Sequence, residues 1–166
     1  AAAFSAKGIG TELRIVRTRG DIDQSAALSQ IGKGAFTDEF TQLLQKGEID
    51  VAVHSAKDLP TDAEKDNFFC LPREDARDLL ILRENKAERI GTGSPRRAAS
   101  AAEKYPGAQI LPVRGNVDTR LRKLASGDYD ALVLAAAGLI RLGLYDGKSD
   151  KLMWDGRTFF VRYFEV

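Results

Sequence analysis

A chain of 166 residues, 43% hydrophobic and 30% charged, has the composition of an ordinary globular protein and can bury a core as one medium domain or two small ones. No apolar run approaches the roughly 18 residues of a membrane span, and Ala1-Ala2-Ala3 lacks the basic and apolar regions of a signal peptide, so a cytoplasmic protein is expected. One Cys and one His exclude an internal disulfide and a Cys/His zinc cluster, no metal is expected, and the net charge of +1 says little by itself.

Taken in order, residues 12–18 (ELRIVRT) alternate polar and apolar side chains and predict a strand, followed by a turn at Arg19-Gly20-Asp21. The basic loop Ile31-Gly32-Lys33-Gly34 leads into residues 36–46, where Phe36, Phe40, Leu43 and Leu44 share one helical face, Thr37 suits the N-cap and Gly47 ends the helix. Residues 50–61 (DVAVHSAKDLPT) follow. Val51 and Val53 read as a strand that delivers His54, Ser55, Lys57 and Asp58 into a polar loop, and Leu59-Pro60 blocks a helical continuation. Strand, helix, strand implies a βαβ unit and a parallel sheet.

Two short apolar runs, 68–71 and 79–82, flank the charged REDARD and read as strands. Residues 90–93 form a strand end and a small-residue turn, after which Ser94 caps a helix with Pro95 at its first position, running to about Lys104. A strand at 109–113 precedes a helix capped by Asn116, with Val117, Leu121 and Leu124 on one face and Gly127 at its end. Residues 129–136 (YDALVLAA) read as a buried strand, 139–144 as a short helix after Gly138, and 159–166 (FFVRYFEV) as a strand after a turn at Asp155-Gly156.

Charge concentrates between residues 94 and 124, where Arg96, Arg97, Lys104, Arg114, Arg120, Arg122 and Lys123 stand against Glu103 and Asp118, a net of +5 that points to an anionic partner. Arg96 and Arg97 fall in a first helical turn, where cations oppose the dipole; either they grip a carboxylate or phosphate beside the free N–H groups, or they are solvated surface residues. Arg114 ends a strand before Gly115, and Arg120 shares a helical face with Lys123. Arg141 follows Ala136-Ala137-Gly138 and could join this cluster. Lys57 and Asp58 could form an ordinary turn, yet a lone acid facing a basic pocket can also give or take a proton. His54 reads as structural and Cys70 as core. No nucleotide-binding motif is present, and nucleic-acid binding is disfavoured, because the cations sit among tight turns without neighbouring aromatics.

VHSAKDLPT, IGTGSPRRAA, RGNVDTRLRKL and YDALVLAAAGLIRLG, in this order and spacing, closely resemble the porphobilinogen deaminase (hydroxymethylbilane synthase) family, with IGKGAFTDEF a looser match. The resemblance covers most of the chain from about residue 11 to 143. It implies an α/β fold of two lobes resembling type II periplasmic binding proteins, with mixed, mostly parallel sheets and a cleft between them. Residues 1–76, joined by the tail strand 159–166, would form one lobe and residues 77–158 the other. The implied reaction is the stepwise condensation of porphobilinogen into the linear tetrapyrrole hydroxymethylbilane, with release of ammonia, in haem biosynthesis. It runs on a dipyrromethane cofactor attached to a cysteine of a third domain. Asp58 would be the catalytic acid, and Ser55, Lys57, Thr92, Ser94, Arg96, Arg97, Arg114, Arg120 and Arg141 would bind the acetate and propionate groups of substrate and cofactor. The partners implied are porphobilinogen and polypyrrole intermediates, with no nucleic acid or membrane; the family member is a monomer, and oligomerisation of a shortened form stays open.

The sequence departs from the family pattern in several places. The first strand and its Arg/Ser loop are not found before Ala1, Asp38 stands where the family has a lysine, and WDGRTFFVRYFEV replaces a Gly-Gln-Gly segment. No third domain or attachment cysteine is recognised, and Cys70 matches a different, interior family cysteine. The expectation is therefore a shortened form with impaired turnover. The competing expectation is a non-enzymatic module that holds a polycarboxylate, such as a linear tetrapyrrole, in the same arginine-lined cleft.

Overall fold

Leu79-Leu80-Ile81-Leu82 offers apolar side chains to both sides of a strand, so it requires cover on both faces of a sheet. In the structure, a computed structural model that describes residues 2–18, 37–55, 59, 69–70 and 72–165, this run forms β1 (Asp78–Leu82), buried along its whole length. The chain divides into two units, Ala1–Phe69 and Cys70–Val166.

The first unit holds α1 (Ala2–Ser5) and α2 (Asp38–Gln45). Thr37 occupies the predicted N-cap position of α2, although its side chain makes no capping hydrogen bond. Asp38 and Glu39 fall in the first turn, where negative charge favours the helix dipole. The strands expected at 12–18 and around Val51 and Val53 do not form: both segments lack regular structure, and Leu13, Ile15 and Val53 are 77%, 85% and 82% exposed. An alternating pattern becomes a strand only beside a partner, and none pairs with these residues among the described ones. His54 packs edge-to-face on Phe40, with ring centres 4.8 Å apart, in keeping with a structural role. Cys70 is exposed where a core position was expected, and its neighbour Phe69 is fully exposed, so the run at 68–71 is not a buried strand over its described residues.

The second unit is an open α/β sheet. Its elements are β1, β2 (Arg89–Thr92), α3 (Pro95–Lys104), β3 (Gln109–Pro112), α4 (Val117–Ser126), β4 (Ala131–Ala135), α5 (Ala136–Arg141), β5 (Lys151–Trp154) and β6 (Arg157–Phe164). The six strands lie in the order β3-β2-β4-β1-β6-β5. The βα units at 89–141 make β2 parallel to both β3 and β4, whereas β1 is antiparallel to β4 and β6 and β5 to β6. The sheet is thus mixed with more antiparallel than parallel pairings, not mostly parallel as expected, because β1 and the β5–β6 hairpin join it without crossover helices. Alternation then divides the core. Leu79, Ile81, Leu132, Leu134, Phe159 and Val161 meet Leu121 and Leu124 of α4 and Leu139 of α5 on one face. Leu80, Leu82, Ile90, Ala131, Val133 and Phe164 meet Ala101 of α3 on the other. At roughly 1.5–3 kcal/mol for each fully buried large aliphatic side chain, these two layers dominate the unit's stability.

The tail expected beside residues 1–76 is here β6, paired residue for residue with β1 in the second unit: Leu79 opposes Tyr163 and Ile81 opposes Val161. Asp155 and Gly156, at φ 49° and 70°, form the tight turn that folds β5 back on β6. The loop before β1 is clamped onto the same strand. The Asp75 carboxylate accepts from Arg77 Nε and Nη2, at 2.9 Å and 2.6 Å for the nearer pairs, and from the Arg77 backbone N–H, which holds its pKa down at about 2. The Arg77 guanidinium lies 4.0 Å from the centre of the Tyr163 ring. At the opposite end of the sheet Asp130 accepts from the Arg89 backbone N–H, Nε and Nη2 and from Arg83, closing the entry to β2 and β4.

Candidate functional site

Because β2, β3 and β4 are parallel, their C-terminal ends share one edge of the sheet. The chain leaves β2 through α3 to one neighbour, and leaves β3 through α4 to the other. Such a change of direction opens the place where α/β sheets bind ligands. The N-terminal turns of α3 and α4 are delivered to this edge, and their caps follow from the local sequence. Ser94 accepts from the Arg97 N–H at 3.5 Å, and Asn116 Oδ1 accepts from the Thr119 N–H at 2.9 Å. Pro95 occupies the first helical turn, where its missing N–H costs nothing.

Thr92 ends β2, is buried, and accepts the Ser94 N–H on its hydroxyl at 3.2 Å. Gly91 precedes it because nothing larger fits: an added Cβ would stand 2.7 Å from Leu132 Cδ2 and 2.8 Å from Tyr129 Cδ1. Arg96 and Arg97 extend from the first turn of α3 to Asp78, the first residue of β1. Arg97 Nη2 donates to Asp78 Oδ1 at 2.6 Å and Arg96 Nη2 to Oδ2 at 3.0 Å. The antiparallel register Asp78↔Ala135 puts this acid at the C-terminal end of β4, hence on the same edge. Arg97, 17% exposed, is thus enclosed while Arg96, 63% exposed, stays largely solvated, and neither is a wholly free donor, since an internal carboxylate already balances one of their charges. Nothing in the local spacing announces Asp78, because it lies 18 and 19 residues from its partners. The only signal was the cation pair in a helix start, which requires an anion from somewhere.

Arg120 donates from Nε to the Gly115 carbonyl at 2.7 Å, and its Nη2 and Nη1 lie 3.8 Å and 4.0 Å from the position a Cβ on Gly93 would take. Burial lowers its pKa, and the nearby charge of Arg97 lowers it further. Arg120 makes no ion pair with a described residue. Arg114 is half-buried in the loop after β3. Arg141 stands apart: the helix expected at 139–144 begins instead at Ala136, directly after β4, so Arg141 falls in its last turn, exposed and about 8 Å of helix from the strand end. Ser55 is exposed in the first unit, while Lys57 and Asp58 lie outside the described residues. The structure therefore gathers Thr92, Ser94, Arg96, Arg97 and Arg120 on one edge. Three cations and Asp78 leave that edge with a net charge of +2, suited to carboxylates. Among the described residues no helix is long and apolar enough to cross a membrane.

Fold and edge together define an α/β protein with an arginine-rich anion site at the switch point of its sheet. The pattern described as "Porphobilinogen deaminase, dipyromethane cofactor binding domain" matches residues 1–158. The chain belongs to the porphobilinogen deaminase family. It is 45% identical over 159 residues to a probable porphobilinogen deaminase of Methanocella arvoryzae, covering 88% of this chain and 51% of that one. The porphobilinogen deaminase of Mycobacteroides abscessus is 46% identical over 162 residues, 90% of this chain and 52% of the relative. That of Corynebacterium glutamicum is 44% identical over 147 residues, 84% and 48% respectively. The chain spans about half the length of these curated relatives.

Proposed function

We propose that this chain provides the substrate- and cofactor-binding part of a porphobilinogen deaminase, which condenses porphobilinogen stepwise into hydroxymethylbilane with loss of ammonia. The observation that carries the reading is the approach of Arg97 and Arg120 from successive βα units: the Arg97 side chain is 17% exposed, its charge acts on Arg120, and the half-buried Arg120 sets its guanidinium beside Gly93, just past the end of β2. Each pyrrole brings an acetate and a propionate, so a growing chain needs many cations and few acids. Arg96, Arg97, Arg114 and Arg120 hold these carboxylates, with Thr92, Ser94 and, from the first unit, Ser55 and Lys57. Arg141 joins them only through a longer reach. Asp58 gives or takes the proton at the aminomethyl nitrogen. In this reading the two units take the places of the two lobes of the periplasmic-binding-like arrangement, and the protein acts in the cytoplasm as a monomer.

The donor set fits the carboxylates of a dipyrromethane group, which Arg96, Arg97 and Arg120 would hold. When bound, that group supplies the pyrrole on which the chain is extended. Its covalent anchor, by resemblance, is a cysteine other than Cys70.

Incubation with porphobilinogen, read by ammonia release and by the colour with Ehrlich's reagent, tests the proposal. Ammonia release that disappears in Asp58→Asn supports the enzyme. Calorimetric binding without ammonia release would instead support a tetrapyrrole-binding module, and absence of both would remove the proposal.

A further inference from the structure

We propose that Asp78 is a positioning residue of this edge: it holds Arg97 in the orientation in which that side chain meets a ligand carboxylate, and it lends Arg96 as an exchangeable second donor. The inference rests on the carboxylate-binding reading of the edge. Asp78 is buried, with its side chain 4% exposed, and gives one oxygen to each arginine. The two contacts are unequal. Arg97 is 17% exposed and bound at 2.6 Å, whereas Arg96 is 63% exposed and bound at 3.0 Å. An exposed ion pair is cheap to open and an enclosed one is not, so Arg97 stays and Arg96 can turn to an incoming carboxylate.

With Nη2 of Arg97 taken by Asp78, its buried Nε finds no partner among the described residues. Buried donors are almost always satisfied, so a fixed, unpaired N–H beside a helix N-terminus is a donor held in reserve. Asp78 also eases the local crowding of charge. Burial, and after it the charge of Arg97, lowers the pKa of Arg120, so the two cations repel each other and the Asp78 carboxylate offsets that repulsion. Without the acid, a ligand would have to freeze two long side chains that Asp78 keeps ordered in the unbound protein.

The test compares Asp78→Asn, Arg97→Gln, their combination and Asp78→Glu in the full chain. Arginine Nε–Hε resonances are followed without ligand, and porphobilinogen binding is followed by calorimetry. Arg97 should give a dispersed, slowly exchanging signal that collapses in Asp78→Asn while the α3 amides keep their positions. Asp78→Asn and Arg97→Gln should each weaken porphobilinogen binding about tenfold, and the double variant should be no weaker than the weaker single one. Asp78→Glu keeps the charge and should fold, with a shifted Arg97 signal and several-fold weaker binding. An unmoved Arg97 signal in Asp78→Asn or Asp78→Glu, full additivity in the double variant, or tighter binding on loss of the acid would each overturn the proposal. If the unaltered protein binds no porphobilinogen, the functional reading fails, and the Arg97 signal still decides the role of Asp78.

Discussion

Trp154 donates its indole N–H to Asp118 Oδ1 at 3.1 Å, tying the β5–β6 hairpin to the first turn of α4. Trp154 is the only tryptophan in the chain, so its emission reports on this junction. Asp118→Ala should shift the emission to longer wavelength and lower stability by about 0.5–1.5 kcal/mol, the usual net worth of one hydrogen bond. Fluorescence-monitored urea unfolding measures both. An unchanged spectrum would mean that the contact is not formed in solution.

The hairpin is part of the core rather than an appendage. Phe159 is 1% exposed and Met153 67% exposed, although they lie on adjacent strands. Phe159→Ala should cost about 3–5 kcal/mol, and Met153→Ala should stay within about 0.5 kcal/mol. Comparable losses at both positions, by chemical denaturation, would contradict the packing of β6 on β1.

Gly91 tests the approach of β2 to Tyr129. The ring is braced by its hydroxyl, which donates to the Pro112 carbonyl at 2.8 Å, so it has little room to retreat. Gly91→Ala should therefore destabilise the protein by about 1–3 kcal/mol, the usual cost of overpacking, measured by thermal unfolding.

Hydrogen bonds from Arg89, aided by the charge of Arg83, hold the Asp130 carboxyl below the usual carboxylate range, against the opposing effect of burial. A depressed folded pKa favours the folded state above the unfolded value of about 3.9, and that advantage fades as the pH falls through the folded value. The protein should exceed Asp130→Asn in stability by about 1.5–3 kcal/mol at neutral pH. Thermal unfolding over a pH series should show this gap closing below about pH 4. A gap independent of pH would locate the effect in packing.

Legibility followed the range of the interactions. Between Arg89 and Ser126 the structure is set by neighbours in sequence: Ser94 and Asn116 as caps, Pro95 at a first turn, apolar residues at helical spacing, and those elements appear where the sequence places them. Residues 12–18 and 51–53 show a strand pattern with equal clarity, but a strand is completed by its partner, and none stands beside them among the described residues. The turn at Asp155-Gly156 was visible, while β5 before it was not, because KLMW has no strong strand bias apart from its pairing with β6. At the candidate site, the arginines were legible from the dipole they oppose. Asp78 was not, since an ion pair between a strand start and a distant helix start leaves no spacing to read.

The placement of β1 has a consequence for synthesis. Both of its neighbours, β4 and β6, are made after it, and its last residue, Leu82, pairs with Phe160. At about 5–20 residues per second, a ribosome needs on the order of ten seconds to supply β6 once β1 has emerged. For that interval the central strand of the sheet is apolar and open along at least one edge, so nascent chains are most exposed to mispairing and to capture by chaperones during it.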